Sequence, residues 1–373
     1  MEKVTTAELK RINRSNIFKL IYAEQKIAKQ DIAARLQLSL PPVTQSLNEL
    51  EQMQLIEKNG HFESSGGRKP QAISCIRKSR VAFGVEVLLN QLRIVAVDIY
   101  GAIIKESQLN ITFRNAPEYY QQLSDFINSF ILSMHIASKR VLGIGIAVQG
   151  LVSPDGQSIL YSTILGCTGA RLEFFSQNIS YPCRLTHDSE AAAYAELWFS
   201  KDIKDAIYIS LSKNLGGAVV INSALYKGQG IGSGLIEHMV VKPGGLPCYC
   251  GKKGCLETYC SADALIGSHK DLDDFFTSLR SGKPEETARW HQYLDDLSTA
   301  INNMHMLIDC EVILGGHIAP YLTESDFDEL LSLVHEKCSF PEQRHYIHIG
   351  KCTHAVVATG AALLFVNEFL DSI

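Results

Sequence analysis

The sequence lacks the features of a membrane or secreted protein. No apolar run approaches the roughly 18–20 residues that span a bilayer, and the first five residues do not begin a signal peptide. Ten cysteines without a secretion signal favour a reducing compartment, where thiols stay free or bind metal. With 46% apolar and 20% charged residues among 373, the composition is typical of a soluble globular protein of two or three domains. We therefore expect a cytoplasmic protein without a membrane partner.

The chain also lacks a strong overall charge, but its two parts differ in sign. The net charge is −5. Residues 1–80 carry 14 Lys and Arg against eight Asp and Glu, whereas the remaining residues carry 21 against 32. A basic N-terminal segment on an acidic body indicates that the segment binds a polyanion while the body has another role.

Three of the ten cysteines lie within eight residues, at Cys248, Cys250 and Cys255, and His238 lies ten residues before the first of them. Three thiolates and an imidazole at this spacing can form a tetrahedral ligand set, because glycines at 251 and 254 let the backbone turn tightly. A closed Cys3His site binds Zn²⁺ structurally, since no coordination position is left for water or substrate. The alternative is that these are unrelated core cysteines. We predict a structural zinc site.

The basic N-terminal segment has the helix pattern of a DNA-binding motif. Apolar residues at mostly helical spacing predict a first helix over 7–22, with Leu9, Ile12, Ile17, Leu20 and Ile21 facing inward. A short second helix follows over 27–36. A third helix follows and places Val43, Leu47 and Leu50 on its inner face. The order helix, tight turn, helix is the one in which the second helix of the pair enters a DNA major groove. The predicted DNA-contacting residues of this helix are Pro42, Thr44, Gln45 and Asn48.

A predicted wing completes this unit. Residues 55–62 are typical of two short strands around Asn59-Gly60, a strong hairpin signal. The segment 66–70 is a flexible basic tip, in which Arg68 and Lys69 suit a phosphate backbone or a minor groove. Residues 1–75 are therefore predicted to be a winged helix-turn-helix DNA-binding domain. A small helical interaction module without nucleic acid is the alternative.

The body, from about residue 80, shows the same strand plan twice. Strands predicted over 81–87, over 92–98 and near 103 have the same order as those predicted over 206–212, 218–222 and 224–228. Helical stretches follow both sets, including one over 117–138. The run over 141–148 is nearly all apolar, as expected of a strand covered on both faces. The repeat predicts a duplicated α/β lobe with a ligand cleft between the copies.

Several segments together indicate a family. They are Asn13-Arg14, residues 66–70, residues 143–148, Asp188 with Ala191-Ala192-Ala193 and Glu196, and Cys-x-Cys-Gly-x-x-Gly-Cys-Leu-Glu over 248–257 with His238. With them the chain resembles the ROK family of repressors, open reading frames and sugar kinases, and within it the regulators that carry a winged helix. The resemblance implies an α/β, actin-like (ribonuclease-H-like) ATPase fold of two lobes over 80–373. Lobe one is expected over about 80–196 plus the C-terminal helix, and lobe two, with the zinc site, over about 197–354.

The resemblance also implies that the phosphate-binding turns of the family's kinases are altered here. Active members carry Asp-x-Gly-Gly-Thr where this chain has Glu86-Val87-Leu88-Leu89-Asn90, and two leucines replace the glycines that let a phosphate come close. The second turn, over 212–218, has lost most of its glycines, and Gly315-Gly316-His317 is partly retained. Asp188 occupies the position of the catalytic base and would be its remnant. We expect no kinase activity.

The sugar-binding positions that the family implies are partly altered as well. The glutamate of the family motif Ala-Gly-Glu-Ile-Gly-His is Leu235, and the asparagine before the base is His187. The implied ligand-binding set is His187, Asp188, His238 and Glu257. Losing one charged acceptor removes about 1.5–3 kcal/mol of hydrogen bonding, so an ordinary hexose is expected to bind poorly or in another pose. Glu237 lies two positions along, but we do not predict that it replaces the lost acceptor. For Asp188 a helix N-cap is the alternative role.

These observations predict a DNA-binding transcriptional repressor of carbohydrate-uptake or metabolism genes, modulated by a sugar-like effector in the cleft between the lobes. The family implies a homodimer or homotetramer, in which two winged helices pair on a palindromic double-stranded DNA operator. One alternative is an ATP-dependent sugar kinase with a fused DNA-binding head. Another is a scaffold protein that does not bind DNA.

Overall fold

The chain folds into an N-terminal helical head and a body with two five-stranded sheets. The computed structural model describes residues 5–62, 70–200, 202–230, 232–340 and 344–373. None of the helices in these ranges has the length and apolar content that crossing a bilayer requires.

The head is a three-helix unit with a small antiparallel sheet. Its elements are α1 (Thr6–Glu24), β1 (Ile27–Ala28), α2 (Lys29–Arg35), α3 (Leu40–Gln52), β2 (Ile56–His61) and β3 (Gln71–Cys75), and the strand order is β1-β3-β2. Val43, Leu47 and Leu50 of α3 are buried, as their spacing predicts. They share one core with Ile17 and Ile21 of α1. The helix order and the wing strands agree with the predicted winged helix-turn-helix.

Two details of the head differ from the sequence predictions. Asn59-Gly60 does not form a hairpin turn, because both residues lie inside β2, where the register with β3 shifts and Gly60 has a φ of +79°. A glycine in the left-handed region lets the strand continue through a bulge. Leu9 and Ile12 are 50% and 45% exposed, because the buried core of the head begins only at Ile17.

The first half of the body contains β4 (Val81–Val87), β5 (Gln91–Val97), β6 (Ile103–Asn110), α4 (Pro117–Leu132), β7 (Val141–Val148), β8 (Leu151–Val152), β9 (Ile159–Tyr161), α5 (Leu172–Ser176), β10 (Cys183–His187) and α6 (Asp188–Phe199). Its sheet has the order β10-β7-β4-β5-β6. β10, β7 and β4 run parallel, and β4, β5 and β6 form an antiparallel meander. Every residue of β4 is buried, as expected of a strand covered on both faces.

The second half contains β11 (Ala206–Ser210), β12 (Gly216–Ile221), β13 (Ala224–Leu225), α7 (Glu257–Cys260), α8 (Ala262–Ile266), α9 (Leu272–Arg280), α10 (Pro284–Leu307), β14 (Glu311–Gly315), α11 (Glu324–Lys337) and β15 (Ile347–Ile349). The last helix, α12 (Val356–Ser372), follows β15 but packs on the first sheet. The sheet of the second half has the order β13-β12-β11-β14-β15. β11 pairs antiparallel with β12 and parallel with β14, and β15 extends the parallel side. Read from β15 to β13, this sheet has the same strand order and directions as the first sheet read from β10 to β6. The predicted duplication is therefore confirmed.

Two helices join the halves of the body. α6 follows the last parallel strand of the first sheet, and α12 follows the last parallel strand of the second. They pack so closely at Gly360 that a Cβ there would lie 1.7 Å from the carbonyl oxygen of Ala191. α12 also crosses the first sheet, where a Cβ on Gly84 would meet the carbonyl oxygen of Ala358 at 1.7 Å. This packing places Asp188, the first residue of α6, between the two halves.

Candidate functional site

Four potential metal ligands meet beside the second sheet. The side-chain donor atoms of His238, Cys248, Cys250 and Cys255 all lie within 4.8 Å of one another. Cys248 Sγ is 3.7 Å from His238 Nδ1, and Cys250 Sγ is 3.7 Å from Cys255 Sγ. A tetrahedral zinc with Zn–S bonds of about 2.3 Å separates its sulfurs by about 3.8 Å. The four residues therefore fit a closed zinc site.

Tight turns bring these four residues together. Gly251 and Gly254 have φ values of +84° and +82°, a conformation that residues with a side chain rarely adopt. The Cys248 amide donates to the Lys252 carbonyl at 2.8 Å, which closes the loop that contains Cys250. A Cβ on Gly254 would lie 1.9 Å from the carbonyl oxygen of Lys242. Both glycines are therefore required by the backbone path that aims the thiols.

A small cavity of about 130 Å³ lies against this cluster. Its polar lining includes Gln149, Ser162, Thr163, His187, Asp188, Asn214 and Glu237, and its apolar lining includes Leu151, Ile164 and Leu235. No lysine or arginine of the described chain lines it. The cavity therefore offers hydroxyl, amide and carboxylate groups beside apolar surface, a combination suited to a small polyhydroxylated molecule.

A larger cavity of about 900 Å³ opens between the two halves of the body. Its lining comes from the turn after β4, residues 212–214, residues 316–317 and the segment before α12. Gln149, Ile164, Asp188 and Asn214 line both cavities. Asp188 therefore lies where the two cavities meet.

Asp188 begins α6 and is held by its neighbours. Its Oδ1 accepts from the Ser189 amide at 2.7 Å and lies 3.1 Å from His187 Nε2. The N-cap of α6 is His187, so Asp188 is the first helical residue rather than the cap. The carboxylate oxygens lie at the positive end of the helix dipole, which attracts them. Asp188 can accept a hydrogen bond from a hydroxyl in either cavity.

Glu257 lies behind the cavities rather than in their lining. Its Oε1 accepts from Asn214 Nδ2 at 3.0 Å and its Oε2 accepts from the Leu215 amide at 2.7 Å. The carboxylate is buried, and burial raises its pKa although both hydrogen bonds lower it. Within the described chain, Glu257 is absent from the lining of both cavities. These hydrogen bonds connect the loop at Asn214 to the Cys/His cluster, whose last ligand lies two residues before Glu257.

The turn after β4 faces the larger cavity. Leu88 and Leu89 both line it. Glu86 lies 3.3 Å from Arg93, which lines the same cavity. Glu86 is 7% exposed, and burial raises its pKa to about 7 although Arg93 opposes the shift. The Glu86–Arg93 pair and two leucines therefore lie where the resemblance implies that a phosphate-binding turn has been lost.

The outer face of α3 carries the predicted DNA-contacting residues. Gln45 and Asn48 are exposed, whereas Pro42 and Thr44 are half-buried. Thr44 Oγ1 donates to the Leu40 carbonyl at 2.7 Å and accepts from Lys29 Nζ at 3.3 Å. Gln45 Nε2 donates to Glu49 Oε1 at 3.1 Å. Gln45 and Asn48 are thus accessible to a nucleic acid, while Arg68 and Lys69 of the predicted wing tip lie outside the described residues.

Comparison with known proteins places the chain in a family. Residues 10–57 match the winged helix-turn-helix DNA-binding family, and residues 82–368 match the ROK family. The chain belongs to the ROK family. It is 30% identical over 379 residues to the xylose repressor of Bacillus spizizenii, and the match covers 97% of each chain.

Two solved structures share the fold of this ROK protein. A ROK family transcriptional regulator, described as a homolog of the E. coli MLC protein, has a TM-score of 0.79 at 21% identity and covers 98% of this chain and 97% of its own. A ROK family glucokinase from Streptomyces griseus, in complex with glucose and AMPPNP, has a TM-score of 0.66 at 21% identity. It covers 76% of this chain and 98% of its own. The first similarity includes the head, and the second fits a shared body.

Two residues of this ROK protein line the cavities although neither was expected there. Glu237 lines the small cavity. The signal that could have identified it is that this chain has Glu237 where the family motif has glycine, and Leu235 where the motif has glutamate. Arg93 lines the larger cavity, and its place in a strand of mixed polarity gives no such signal.

Proposed function

We propose that this chain is a cytoplasmic transcriptional repressor that binds double-stranded DNA through residues 1–75 and a sugar-like effector through residues 80–373. The observation that carries this proposal is that one chain combines a DNA-binding fold with a small-molecule cavity. The winged helix-turn-helix exposes Gln45 and Asn48 on α3, and the body contains a cavity of a size that suits a polyol. The similarity to a xylose repressor along nearly the full length supports it. Genes of carbohydrate uptake or metabolism are the proposed targets.

DNA recognition combines base and phosphate contacts. Pro42, Thr44, Gln45 and Asn48 would face the major groove from α3, since side chains there read base edges. Arg68 and Lys69 would contact phosphates or a minor groove. The excess of basic residues over 1–80 supports a phosphate contribution to affinity.

Effector binding would use the small cavity. His187 and Asp188 line it together with His238, and hydroxyl groups of a sugar can donate to a carboxylate and exchange hydrogen bonds with imidazole. Glu257 would position the loop at Asn214 rather than contact the effector, because both of its oxygens already accept hydrogen bonds from that loop. The effector can change operator affinity only through its different affinity for two arrangements of the protein.

We further propose that the chain is not a kinase. Phosphoryl transfer depends on backbone amides that approach the nucleotide phosphates. Leu88 and Leu89 line the larger cavity where such an approach needs glycine, and the Glu86–Arg93 pair occupies the same wall. Asp188 would remain as a hydroxyl acceptor for the effector. The second candidate is a sugar kinase with a fused DNA-binding head, which the fold shared with a glucokinase favours.

The Cys/His cluster would hold one Zn²⁺ as a structural ion. His238, Cys248, Cys250 and Cys255 would supply four ligands, which leaves no position for a reacting molecule. The ion would fix the loop whose next carboxylate, Glu257, braces Asn214. A homodimer or homotetramer would pair two heads on a palindromic operator, with half-sites a whole number of helical turns apart.

Operator selection tests this function. DNA fragments would be selected from a random-sequence pool with the full-length protein, and the affinity of the best fragment measured at several salt concentrations and with neutral monosaccharides added. We expect affinity to fall steeply with salt and to decrease when one of the sugars is present. Binding that is insensitive to salt contradicts the DNA-binding role, and phosphorylation of any of these sugars with ATP supports the kinase instead.

A further inference from the structure

Glu237 is buried, and within the described chain one of its carboxylate oxygens lacks a hydrogen-bond partner. The residue is 6% exposed, and within the described residues its Oε2 has no hydrogen-bond partner. Its Oε1 lies 4.0 Å from His238 Nε2, too far for a hydrogen bond. Taking a carboxylate out of water without partners is unfavourable. A group retained under these conditions in the wall of a cavity indicates a ligand that supplies the missing donors.

The local backbone places Glu237 and Leu235 on the same side. Ile236, between them, is buried in the core of the second half and approaches Gly217. Leu235 and Glu237 both line the small cavity. A carboxylate at 237 can therefore reach the space beside the apolar side chain of Leu235.

We propose that Glu237 binds a hydroxyl group of the effector and thereby determines which sugar the protein recognises. The inference rests on the proposed function, because it assigns a residue to the proposed effector cavity. It differs from the expectation that Glu237 does not replace the acceptor lost at Leu235. The carboxylate accepts from the hydroxyl through Oε2, while Leu235 packs against a C–H face of the sugar ring.

The cavity lining defines the class of ligand. Asp188 and Glu237 are both acidic, and no lysine or arginine of the described chain lines the cavity. Without a cation in this described lining, nothing there compensates the charge of a buried phosphate group. A volume of about 130 Å³ suits a single sugar ring. The geometry therefore selects a neutral, unphosphorylated monosaccharide.

A second role for the same carboxylate must be separated from this one. Residues next to a metal-ligating histidine often orient its imidazole through the nitrogen that does not bind metal. Glu237 Oε1 is the carboxylate oxygen nearest to His238 Nε2. If this were its only role, substitution of Glu237 would change metal content and leave the ligand's hydroxyl preference unchanged.

Calorimetry with deoxy sugars tests the inference. The wild type, Glu237→Ala, the double variant Leu235→Glu/Glu237→Gly and the surface control Glu173→Gln are titrated with neutral monosaccharides, with single-deoxy analogues of the best one and with its phosphate ester. We expect one deoxy analogue to bind the wild type and the control at least tenfold more weakly than the parent sugar. Glu237→Ala should bind the parent at least tenfold more weakly and no longer distinguish that analogue. The double variant, which moves the carboxylate to 235, should be sensitive to a different hydroxyl.

Each result has a defined consequence. A Glu237→Ala variant with wild-type affinity and hydroxyl preference overturns the role of Glu237 and leaves the proposed repressor intact. Loss of zinc from Glu237→Ala by elemental analysis, with an unchanged preference, assigns the residue to the metal site instead. Tighter binding of the phosphate ester overturns the ligand class. A wild type that binds operator DNA but no monosaccharide contradicts both the effector part of the proposed function and this inference.

Discussion

Tyr22 of the head stacks on Tyr100 of the body, with ring centroids 4.5 Å apart and ring planes inclined by 4°. The Tyr22 hydroxyl donates to the Ile99 carbonyl at 2.9 Å. The Arg77 guanidinium lies 4.7 Å from the Tyr100 ring centroid and pairs with the buried Asp98 at 2.8 Å. The head is thus docked on the turn between β5 and β6 by aromatic and polar contacts together.

The same turn is bonded to the helix that begins at the effector cavity. Trp198, near the end of α6, donates its indole N–H to the Tyr100 carbonyl at 3.0 Å. α6 starts at Asp188, which lines both cavities. A rotation of α6 on effector binding would therefore move the surface on which Tyr22 rests. This gives the proposed regulation a physical connection from cavity to head.

Substitution of Tyr22 should reduce the effector response more than DNA binding itself. Tyr22→Ala removes the stacking and the hydrogen bond, whereas Tyr22→Phe keeps the stacking. We expect Tyr22→Ala to bind operator within threefold of the wild type without effector and to lose most of the effector-induced change in affinity. Tyr22→Phe should retain most of that change. An undiminished response of Tyr22→Ala, measured by fluorescence anisotropy, would show that this contact does not carry the coupling.

Gln45 and Asn48 should contribute sequence specificity, whereas Lys69 should contribute only charge. A base-edge contact is worth about 1–3 kcal/mol of discrimination, so Gln45→Ala and Asn48→Ala should each weaken operator binding by about tenfold or more and relax preference at one base position. Lys69→Ala should weaken binding to all sequences and reduce the salt slope by about one. Gln121→Ala is the matched control, because Gln121 also bonds an acidic residue four positions on, but from the body. Equal losses for Gln45→Ala and Gln121→Ala would argue against α3 as the reading helix.

The Cys/His cluster should bind one zinc per chain. Cys248→Ser removes a ligand and should abolish stoichiometric zinc in elemental analysis, whereas Cys338→Ser, outside the cluster, should retain it. Structural zinc contributes on the order of 10 kcal/mol of apparent binding free energy in small zinc peptides, so Cys248→Ser and chelator-treated wild type should melt several degrees lower. Metal-free wild type with an unchanged melting temperature would remove zinc as a structural element of this fold.

The sequence could predict those features that depend on local pattern. The apolar run over 141–148 became β7 with the same bounds, and the spacing of Val43, Leu47 and Leu50 gave the buried face of α3. The ligand spacing from His238 to Cys255 predicted a cluster that the structure brings together. In each case neighbouring residues determine the outcome, so no distant part of the chain is needed.

Features that depend on distant contacts could not be predicted in this way. Gly60 is a turn residue by its identity, but the pairing of β2 with β3 makes it a bulge. Glu257 follows the cysteines in sequence, yet its hydrogen bonds to Asn214 and Leu215 turn it away from the cavities. The role proposed for Glu237 depends on the burial of its Oε2, which has no hydrogen-bond partner in the described chain.

Glu86 should make the free energy of unfolding depend on pH. Its pKa is raised to about 7 by burial, compared with an ordinary value of 4.5. Between these two values the folded protein keeps a proton on Glu86 that the unfolded chain has released, so a rise in pH through this window lowers the free energy of unfolding. Below about 4.5 both states are protonated, and above about 7 both are ionised, so the contribution is constant outside the window.

The difference in the free energy of unfolding between wild type and Glu86→Gln isolates this effect, because glutamine does not titrate. We expect that difference to fall by on the order of 3 kcal/mol as the pH rises from about 4.5 to about 7 and to stay constant above it. Glu173→Gln is the matched control, since Glu173 also pairs with an arginine, at 3.2 Å, but is 70% exposed; its difference from the wild type should not change across the window. Urea denaturation at several pH values measures both differences. A flat profile for Glu86→Gln would mean that Arg93 offsets the burial of Glu86 completely, and the wall of the larger cavity would then carry an ionised pair throughout this range.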